Sequence, residues 1–374
     1  MSNVSPVSHP ASRNVLNSIL RELTNIDLLA LVNELKPNVV GKRFDKFYQY
    51  NDNEFFLKLK GDGQKTLLIL LPYCFNFTNF TRDFKEPTAF AMTVRKYLEN
   101  KQITGFEQLN MDRVIKLSSE DAALIIEFFG KGNLILVDKN SIIISALRNE
   151  ETKIRKIGKG EAYSVLPSKK TSISQITAEY FVRAADKELS IIVNLSRLIN
   201  FPALYFNEIL KHQGLDPKKK TKEVTLKEIE LIFKFASDFV KNAGKQSVIY
   251  EDKTYSGFDL QTKKVESNFA TFSDLLDLLY SKYSKTAETE VSNVKLEKII
   301  KKLKHQQEHV TSLEVEEREI KEIAELLLKK KELVEQLISA FAKFKKDKNK
   351  EELSKVLMKN KAVLKDRFIE IDLV

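Results

Sequence analysis

The sequence has 374 residues, enough for two or three domains, and its 43% hydrophobic and 30% charged residues permit a sizeable core beneath a heavily charged surface. The net charge of +10 favours nucleic acid or an acidic membrane face as partners, although a lysine-rich composition alone accounts for part of it. A single cysteine, Cys74, excludes an intrachain disulfide and a cysteine-based zinc site, and it favours a cytoplasmic protein.

The first residues are rich in Ser, Asn and Pro and lack the basic start and apolar core of a signal peptide. We therefore expect residues 1–21 to be a disordered arm or an expression leftover. No apolar run is long enough to cross a membrane, so no membrane partner is expected.

A helix is predicted from Asn25 to about Leu35, with Asn25 as its N-cap and Asp27 in its first turn. Pro37 and Gly41 are expected to end this helix. Alternating apolar and polar residues, separated by turn-forming triplets, then predict an antiparallel meander of three strands.

Pro87 opens a second helix, in which Phe90, Val94 and Leu98 share one face. Further strands are predicted after it, at roughly 106–117, 122–128, 133–138 and 141–147. Two helices and about seven strands predict an α+β domain over residues 22–170.

Short helices are predicted between residues 172 and 241, with Gly214 as a helix stop. A small β-piece follows, and then a helix from Phe272. These elements predict a helical domain over residues 171–288.

Heptads begin after this helical domain. With Leu296 as position a, 11 of the 14 a and d positions through Phe341 are apolar, which predicts a coiled-coil arm over residues 289–368. A hairpin of two helices is favoured over one rod, with the Leu-Leu-Leu-Lys-Lys-Lys-Glu-Leu segment as its tip or a register break. The three polar exceptions are Gln306, Glu317 and Lys331.

The last eight residues look like a strand that has no partner within the chain. We expect residues 369–374 to begin a further domain that this chain lacks. The heptads leave open whether the coiled coil closes on itself or pairs between chains, so a homodimer or another protein partner at the arm remains open.

No residues predict catalysis. The His305–His309 segment has the spacing of a zinc-protease motif, but it lies within the heptads and is rejected. The Gly-rich Phe128–Asn133 segment lacks Walker spacing and is explained by a hairpin turn, in which Lys131 and Asn133 are candidates to meet RNA phosphate. Because the α+β domain has no histidine, we expect no hydrolase that uses histidine there. No catalytic, cofactor or metal site is predicted elsewhere in the sequence, so the chain is not expected to be an enzyme.

Asp112 and Arg113 stand side by side where a strand is expected to begin. Neighbouring side chains of a strand point to opposite faces, so we expect these two not to pair with each other. Arg suits bidentate contact with phosphate or a base edge. From the spacing alone, a structural ion pair at the strand entry is favoured over a functional role.

Three segments resemble the NFACT family, whose members include eukaryotic NEMF, bacterial RqcH and archaeal relatives: NIDLLALVNELKPNVVGKRFDKFYQY, PTAFAMTVRKYLENKQITGFEQLNMDRVIKL and LIIEFFGKGNLILVD. The similarity covers nearly everything from Glu22 onward. It implies an N-terminal antiparallel β/α domain that resembles the N-terminal fold of formamidopyrimidine-DNA glycosylases. A helix-hairpin-helix domain and a long antiparallel coiled coil would follow it.

The resemblance also implies a role in ribosome-associated quality control. Members of the family bind the large ribosomal subunit with peptidyl-tRNA and recruit charged tRNA for untemplated C-terminal tailing, while the ribosome forms the peptide bond. The family's tRNA-related motif matches Asp112 and Arg113, and an acidic residue of its first helix matches Asp27. Arg95 and Lys96 lie in the matching second helix and complete the tRNA-binding candidates.

Departures from the family pattern limit this expectation. The C-terminal RNA-associated NFACT-R domain is missing, so the chain is expected to be truncated or split. The Ile199–Leu210 segment lacks the hairpin glycine of nucleic-acid-binding modules, so we expect packing rather than phosphate binding there. The alternative function is a non-catalytic coiled-coil adaptor without direct tRNA binding.

Overall fold

The computed structural model describes residues 16–84, 86–166, 169–260, 262–347, 350–365 and 368–371. The chain forms two compact units, Met1–Val291 and Ser292–Val374. The first unit contains mixed α and β structure with antiparallel sheets, which confirms the predicted α+β class.

The predicted meander is a four-stranded antiparallel sheet. The prediction missed its last strand, because four residues are too few for an alternating pattern to be recognised. In sheet order the strands are β1 (Arg43–Gln49), β2 (Glu54–Lys60), β3 (Lys65–Leu70) and β4 (Cys74–Phe77).

A second sheet has five antiparallel strands and takes the rest of the predicted β-region. Its strands are, in order, β5 (Gly105–Gln108), β6 (Val114–Ser118), β7 (Ala122–Glu127), β8 (Asn133–Asp138) and β9 (Ile143–Ala146). The single strand predicted at 106–117 is wrong, because Asn110 and Met111 take φ values of 53° and 54° and turn the chain. The Asp-Arg doublet therefore lies in a turn rather than in a strand.

The two turns that carry candidate residues lie at the same edge of the five-stranded sheet, where β6 and β8 begin and β7 ends. Val114 at the start of β6 pairs with Glu127 at the end of β7, which in turn pairs with Asn133 at the start of β8. The turn that carries the doublet and the turn between β7 and β8 therefore share this edge, which we call the turn edge. The strands are held in this register because both faces are buried, one in the main core and one against a second apolar cluster.

The first helix, α1 (Asn25–Val39), differs from its prediction at both ends. Thr24 rather than Asn25 is the N-cap, and it forms a capping box with Asp27. The helix also continues past Pro37, which lies in its last turn. The second helix, α2 (Ala89–Leu98), begins after the predicted Pro87, because Thr88 is its N-cap. Val94 and Leu98 of the predicted face are buried, whereas Phe90 is only partly buried.

Part of the predicted arm is ordered. Residues 16–19 are helical, and Leu16 and Leu20 are buried in the core, so the disordered arm cannot extend to residue 21 as expected. The remainder of that prediction, residues 1–15, lies outside the described residues.

The rest of the first unit is mostly helical. The connection between the helices α4 (Ile191–Leu198) and α5 (Ala203–His212) brings residues 199–202 to the doublet turn. Gly214, with φ of 69°, follows α5 as the predicted stop. The elements are β10 (Glu150–Glu151), β11 (Lys156–Ile157), α3 (Ala178–Ala184), α4 (Ile191–Leu198), α5 (Ala203–His212), α6 (Leu226–Lys241), β12 (Ser247–Tyr250), β13 (Tyr255–Ser256), β14 (Val265–Phe269) and the start of α7 (Phe272–Lys329).

The second unit contains the end of α7, then α8 (Lys331–Asp347), α9 (Lys350–Lys359), β15 (Val363–Lys365) and β16 (Phe368–Glu370). The break after α7 falls in the predicted Leu- and Lys-rich segment. The expectation that the last strand has no partner is wrong, because β16 pairs with β15. Residues 372–374 lie outside the described part.

The predicted antiparallel hairpin is not formed among the described residues of the second unit. The heptad side chains of α7 between Leu296 and Leu327 are exposed, and α8 packs against α9 instead. The coiled coil therefore stays a prediction. Within the described ranges, no helix has the length and apolar character that a membrane span requires.

Candidate nucleic-acid interface

The turn from Leu109 to Arg113 is held in place by side-chain amides. The Met111 carbonyl accepts hydrogen bonds from Asn25 Nδ2 at 2.9 Å and from Asn200 Nδ2 at 3.1 Å. Gln108 Nε2 donates to the carbonyls of Asn25 and Asp112, at 2.7 and 2.8 Å. The start of α1 and the α4–α5 connection therefore both fix this turn, and we call these three amide side chains the amide clamp.

The doublet side chains do not pair with each other, as the sequence predicted. Asp112 Oδ1 accepts from the Arg113 backbone N–H at 2.7 Å. The Arg113 guanidinium pairs with Glu22, with Nη1 and Oε2 separated by 3.0 Å. The two side chains of this ion pair are 31% and 50% exposed, so Arg113 remains accessible to a ligand.

A cleft of about 450 Å³ lies beside the doublet. The starts of α1 and α5 both border it, and the first N–H groups of a helix favour anions. Its lining residues include Glu22, Thr24, Asn25, Asp112, Arg113, Lys170, Ser196, Asn200, Pro202 and Ala203. The cleft thus combines amide, hydroxyl, acidic and basic groups around Arg113.

Asp27 does not belong to this surface, which corrects the expectation that it lies on a shallow face with the doublet. Its side chain is 0% exposed and accepts from Arg21 Nη1 and Nη2 at 2.5 and 3.0 Å. Tyr205 donates its hydroxyl to Asp27 at 2.6 Å, and the Thr24 N–H donates at 2.8 Å. Asp27 joins α1 to α5 and is a structural carboxylate.

The pKa of Asp27 reflects this environment. Burial raises the pKa of the carboxyl group, but the charge of Arg21 and hydrogen bonds from Arg21, Tyr205 and Thr24 lower it further than burial raises it. The net pKa lies below the ordinary value, so Asp27 is ionised at neutral pH and holds Arg21 in place.

The two candidates in the turn between β7 and β8 differ in exposure. Lys131 is exposed at the turn edge. Asn133 is only 5% exposed, and it donates to the Arg148 carbonyl at 2.8 Å and accepts from the Arg148 N–H at 3.0 Å. The expectation that Asn133 meets RNA is therefore corrected, because its amide is used to hold the neighbouring segment.

The two candidates in α2 are not brought to the doublet cleft. Arg95 Nε donates to the Phe47 carbonyl at 2.8 Å, and its guanidinium lies 4.8 Å from the centre of the Tyr48 ring. Arg95 borders a separate shallow cleft between β1 and α2. Lys96 is exposed.

Several residues of the site could not be predicted from the sequence. Glu22, Gln108 and Asn200 were not candidates, and Asn25 was assigned to the helix cap. Their roles depend on contacts across long sequence separations, such as 175 residues between Asn25 and Asn200. No motif in a single sequence marks such contacts.

Comparisons with known proteins identify the family of this chain. A family model described as the NFACT N-terminal and middle domains matches residues 24–366. The chain belongs to the NFACT family. This NFACT chain is 30% identical over 257 residues to the archaeal Rqc2 homolog aRqcH of Methanocaldococcus jannaschii, covering 63% of this chain and 38% of the relative.

Other relatives match shorter regions. Ribosome quality control complex subunit 2 of Schizosaccharomyces pombe is 32% identical over 134 residues, which cover 33% of this NFACT chain and 13% of the relative. Among solved structures, the N-terminal part of the fibronectin/fibrinogen-binding protein from Streptococcus suis has a TM-score of 0.55 at 24% identity. That match covers 70% of this chain and 99% of the solved chain, and it shows a shared fold.

Asp27→Asn should lower the free energy of unfolding of this NFACT chain by about 3 kcal/mol, because Arg21 loses the charge that compensates its partial burial. Glu22→Gln is the matched control and should change stability little, since Glu22 is half exposed. Urea unfolding followed by circular dichroism measures both.

Wild type and Asp27→Asn also test the pKa of Asp27. Its folded-state pKa is depressed, so its contribution is full above the unfolded-state pKa of about 3.9 and is lost as pH falls through the lower folded-state pKa. The stability difference between wild type and Asp27→Asn should therefore be constant near neutral pH and shrink in strong acid. A difference that grows on acidification would contradict the assignment.

Proposed function

We propose that the turn edge around Asp112 and Arg113 binds tRNA. The observation that carries this proposal is an accessible guanidinium on a turn whose backbone is fixed by the amide clamp. A fixed turn lowers the entropy that binding must remove, so the Arg113 fork is prepared for a bidentate contact with phosphate or a base edge. Asp112 offers a carboxylate that can accept from a base amino group or a ribose hydroxyl.

The ion pair with Glu22 is weak enough to be exchanged for RNA. Exposed pairs of this kind contribute about 0–1 kcal/mol, and salt screens them. A phosphate carries a full charge and offers several acceptor oxygens, so it competes well for Arg113. Glu22 thus lowers non-specific attraction, while Lys131 at the same edge adds salt-sensitive attraction.

The relatives support a wider role. The archaeal and fission-yeast proteins carry names that refer to ribosome quality control. We propose that this chain acts in that process, binds the large ribosomal subunit that carries peptidyl-tRNA, and recruits charged tRNA for untemplated C-terminal tailing. The match covers 38% of the archaeal relative, so the activities of a whole protein of this family are proposed for this chain.

The chain is proposed to be a binding factor rather than an enzyme, with the ribosome forming each peptide bond. Finer features of the family remain part of this proposal. They are the likeness of residues 22–170 to the glycosylase N-terminal fold, a helix-hairpin-helix arrangement of α4 and α5, and a coiled coil in the second unit. Cytoplasmic location is proposed with them.

A second candidate function is a coiled-coil adaptor that binds proteins without touching tRNA. The exposed heptad side chains of α7 favour it. The two functions differ in one measurable property, because the adaptor predicts no affinity of the wild-type chain for tRNA beyond the non-specific binding of a basic protein.

Arg113→Ala should weaken tRNA binding by about 1–3 kcal/mol, roughly 5- to 150-fold in Kd, because a charge-assisted contact is lost. Lys131→Ala is the comparison variant. It should weaken the binding of all RNAs equally, and it should reduce the slope of log K against log salt concentration by about 1. Filter binding over a salt series measures both effects. Equal affinity of wild type and Arg113→Ala at every salt concentration would contradict the proposal and favour the adaptor.

Glu22→Gln should tighten tRNA binding by up to about fivefold, because a competitor for Arg113 is removed. Glu107→Gln makes the same charge change at another exposed position and serves as the matched control. If the two variants gain affinity equally, the effect comes from net charge, and the specific competition by Glu22 is refuted.

A further inference from the structure

A second cleft, of about 540 Å³, lies between α5 and α6, and its size is in the range of pockets that bind ligands. Side chains three, four and seven residues apart lie on one face of a helix. α6 lines the cleft with such a set: Phe235, Asp238, Phe239 and Asn242. We call it the aromatic cleft, and no described residue lines both it and the cleft beside Arg113.

Aromatic rings form part of the surface of the aromatic cleft. The Phe235 ring lies beside the imidazole of His212, with 5.0 Å between the ring centres. The Phe239 ring packs against the buried Phe258 ring, with 5.5 Å between their centres. Phe235 and Phe239 are only partly buried. Accessible rings of this kind suit a planar or cationic group that stacks on them.

The charged residues that line the aromatic cleft are mostly acidic. Glu208 is 4% exposed and pairs with Lys211 at 3.2 Å, so its charge is compensated. Asp238 and Asp259 also line the cleft, together with one lysine, Lys245. The partly exposed Asp238 forms no ion pair or side-chain hydrogen bond with any described residue. Within a chain of net charge +10, this cleft therefore attracts a cation and repels phosphate.

We propose that the aromatic cleft binds an arginine side chain that a protein partner presents on an extended segment. A guanidinium is planar, so it can stack on the Phe235 or Phe239 ring while its N–H groups donate to Asp238. The exposed side-chain amides of Asn242 and Gln246, which also line the cleft, can pair with the backbone of the same segment. Arginines and aromatic contacts of this kind often dominate the free energy of a protein interface.

Arginine fits these groups better than lysine or a nucleotide does. A lysine ammonium has no planar surface to stack on a ring, and it is more strongly hydrated than a guanidinium. A nucleotide base could stack on the rings, but its phosphate would meet Asp238 and Asp259 with only Lys245 in the lining to compensate them. The charge of the cleft thus favours a protein over nucleic acid.

The proposal does not depend on tRNA binding, because the aromatic cleft and the doublet cleft have separate linings. A chain that holds tRNA at Arg113 and a protein at the aromatic cleft would combine two weak contacts into one stronger attachment.

The first test titrates the full chain, isotopically labelled at its isoleucine methyl groups, with blocked Gly-X-Gly peptides in which X is arginine, lysine or citrulline. Citrulline has the shape of arginine without its charge. The NMR signal of Ile209, which lines the cleft, reports binding and is assigned by its loss in Ile209→Val. The arginine peptide should shift this signal, with a Kd at least about threefold below that of the other two peptides. No shift, or equal affinity for all three peptides, overturns the proposal.

The second test uses variants of α6 with the same arginine peptide. Asp238→Asn should raise its Kd by at least about fivefold, because a charge-assisted contact is lost. Phe235→Leu keeps an apolar side chain but removes the ring, and it should raise the Kd by about threefold. Glu230→Gln removes the same charge as Asp238→Asn at another exposed position of α6, and it should leave the Kd unchanged. Equal effects of Asp238→Asn and Glu230→Gln would show general attraction of a cation and overturn the proposal.

The third test replaces the peptide by a short single-stranded RNA. This RNA should leave the Ile209 signal in place, because the carboxylates of the cleft repel its phosphates. If the RNA shifts that signal and the arginine peptide displaces it, the aromatic cleft belongs to an RNA-binding surface and the proposal is wrong. Failure of Arg113→Ala to weaken tRNA binding would contradict the proposed function and leave these peptide results unaffected.

Discussion

Hydrogen bonds that converge on the Met111 carbonyl are the constraint on which the doublet surface depends. Asn110 and Met111 both take left-handed backbone angles, which cost about 1–2 kcal/mol for each residue with a Cβ. Hydrogen bonds from Asn25 and Asn200 contribute about 1 kcal/mol each and offset much of this cost. Arg113 reaches the turn edge because the turn is held in this form.

The same region shows how acidic residues divide between support and recognition. Asp27 is buried and ionised, and it joins Arg21 to Tyr205, so it stabilises the junction between α1 and α5. Asp112 and Glu22 lie at the cleft beside Arg113, where solvent and a ligand can reach them. The mixed-charge patch expected from the sequence is therefore built from Glu22, Asp112 and Arg113, without Asp27.

Local patterns in the sequence predicted much of the fold. Apolar segments between turn-forming residues identified β1 to β3 of the first sheet and β7 to β9 of the second. The position of Asp27 in the first turn of α1 was predicted from helix preferences. The division of 106–117 into two strands was missed, because the left-handed turn at Asn110 and Met111 carries no glycine to mark it. The last strand was thought to lack a partner, since the partner β15 is only three residues long.

The candidate site was less predictable, since its geometry depends on distant contacts. Arg113 was identified, and the burial of Asp27 was not, because it requires Tyr205, which lies 178 residues away. Asn133 was assigned to the surface from its place in a Gly-rich turn, whereas its amide is bound by Arg148. The resemblance to the family identified the doublet as a candidate, whereas the amide clamp could be recognised only from contacts in the folded chain.

The central claim is that the amide clamp acts on tRNA through Arg113, and a double-mutant cycle tests it most directly. Kd for tRNA is measured for wild type, Asn200→Ala, Arg113→Ala and the double variant, each first shown to be folded by its unfolding transition. The account predicts that loss of Asn200 weakens binding in the wild-type background and has almost no effect once Arg113 is absent. Additive losses, or no loss from Asn200→Ala, would contradict it.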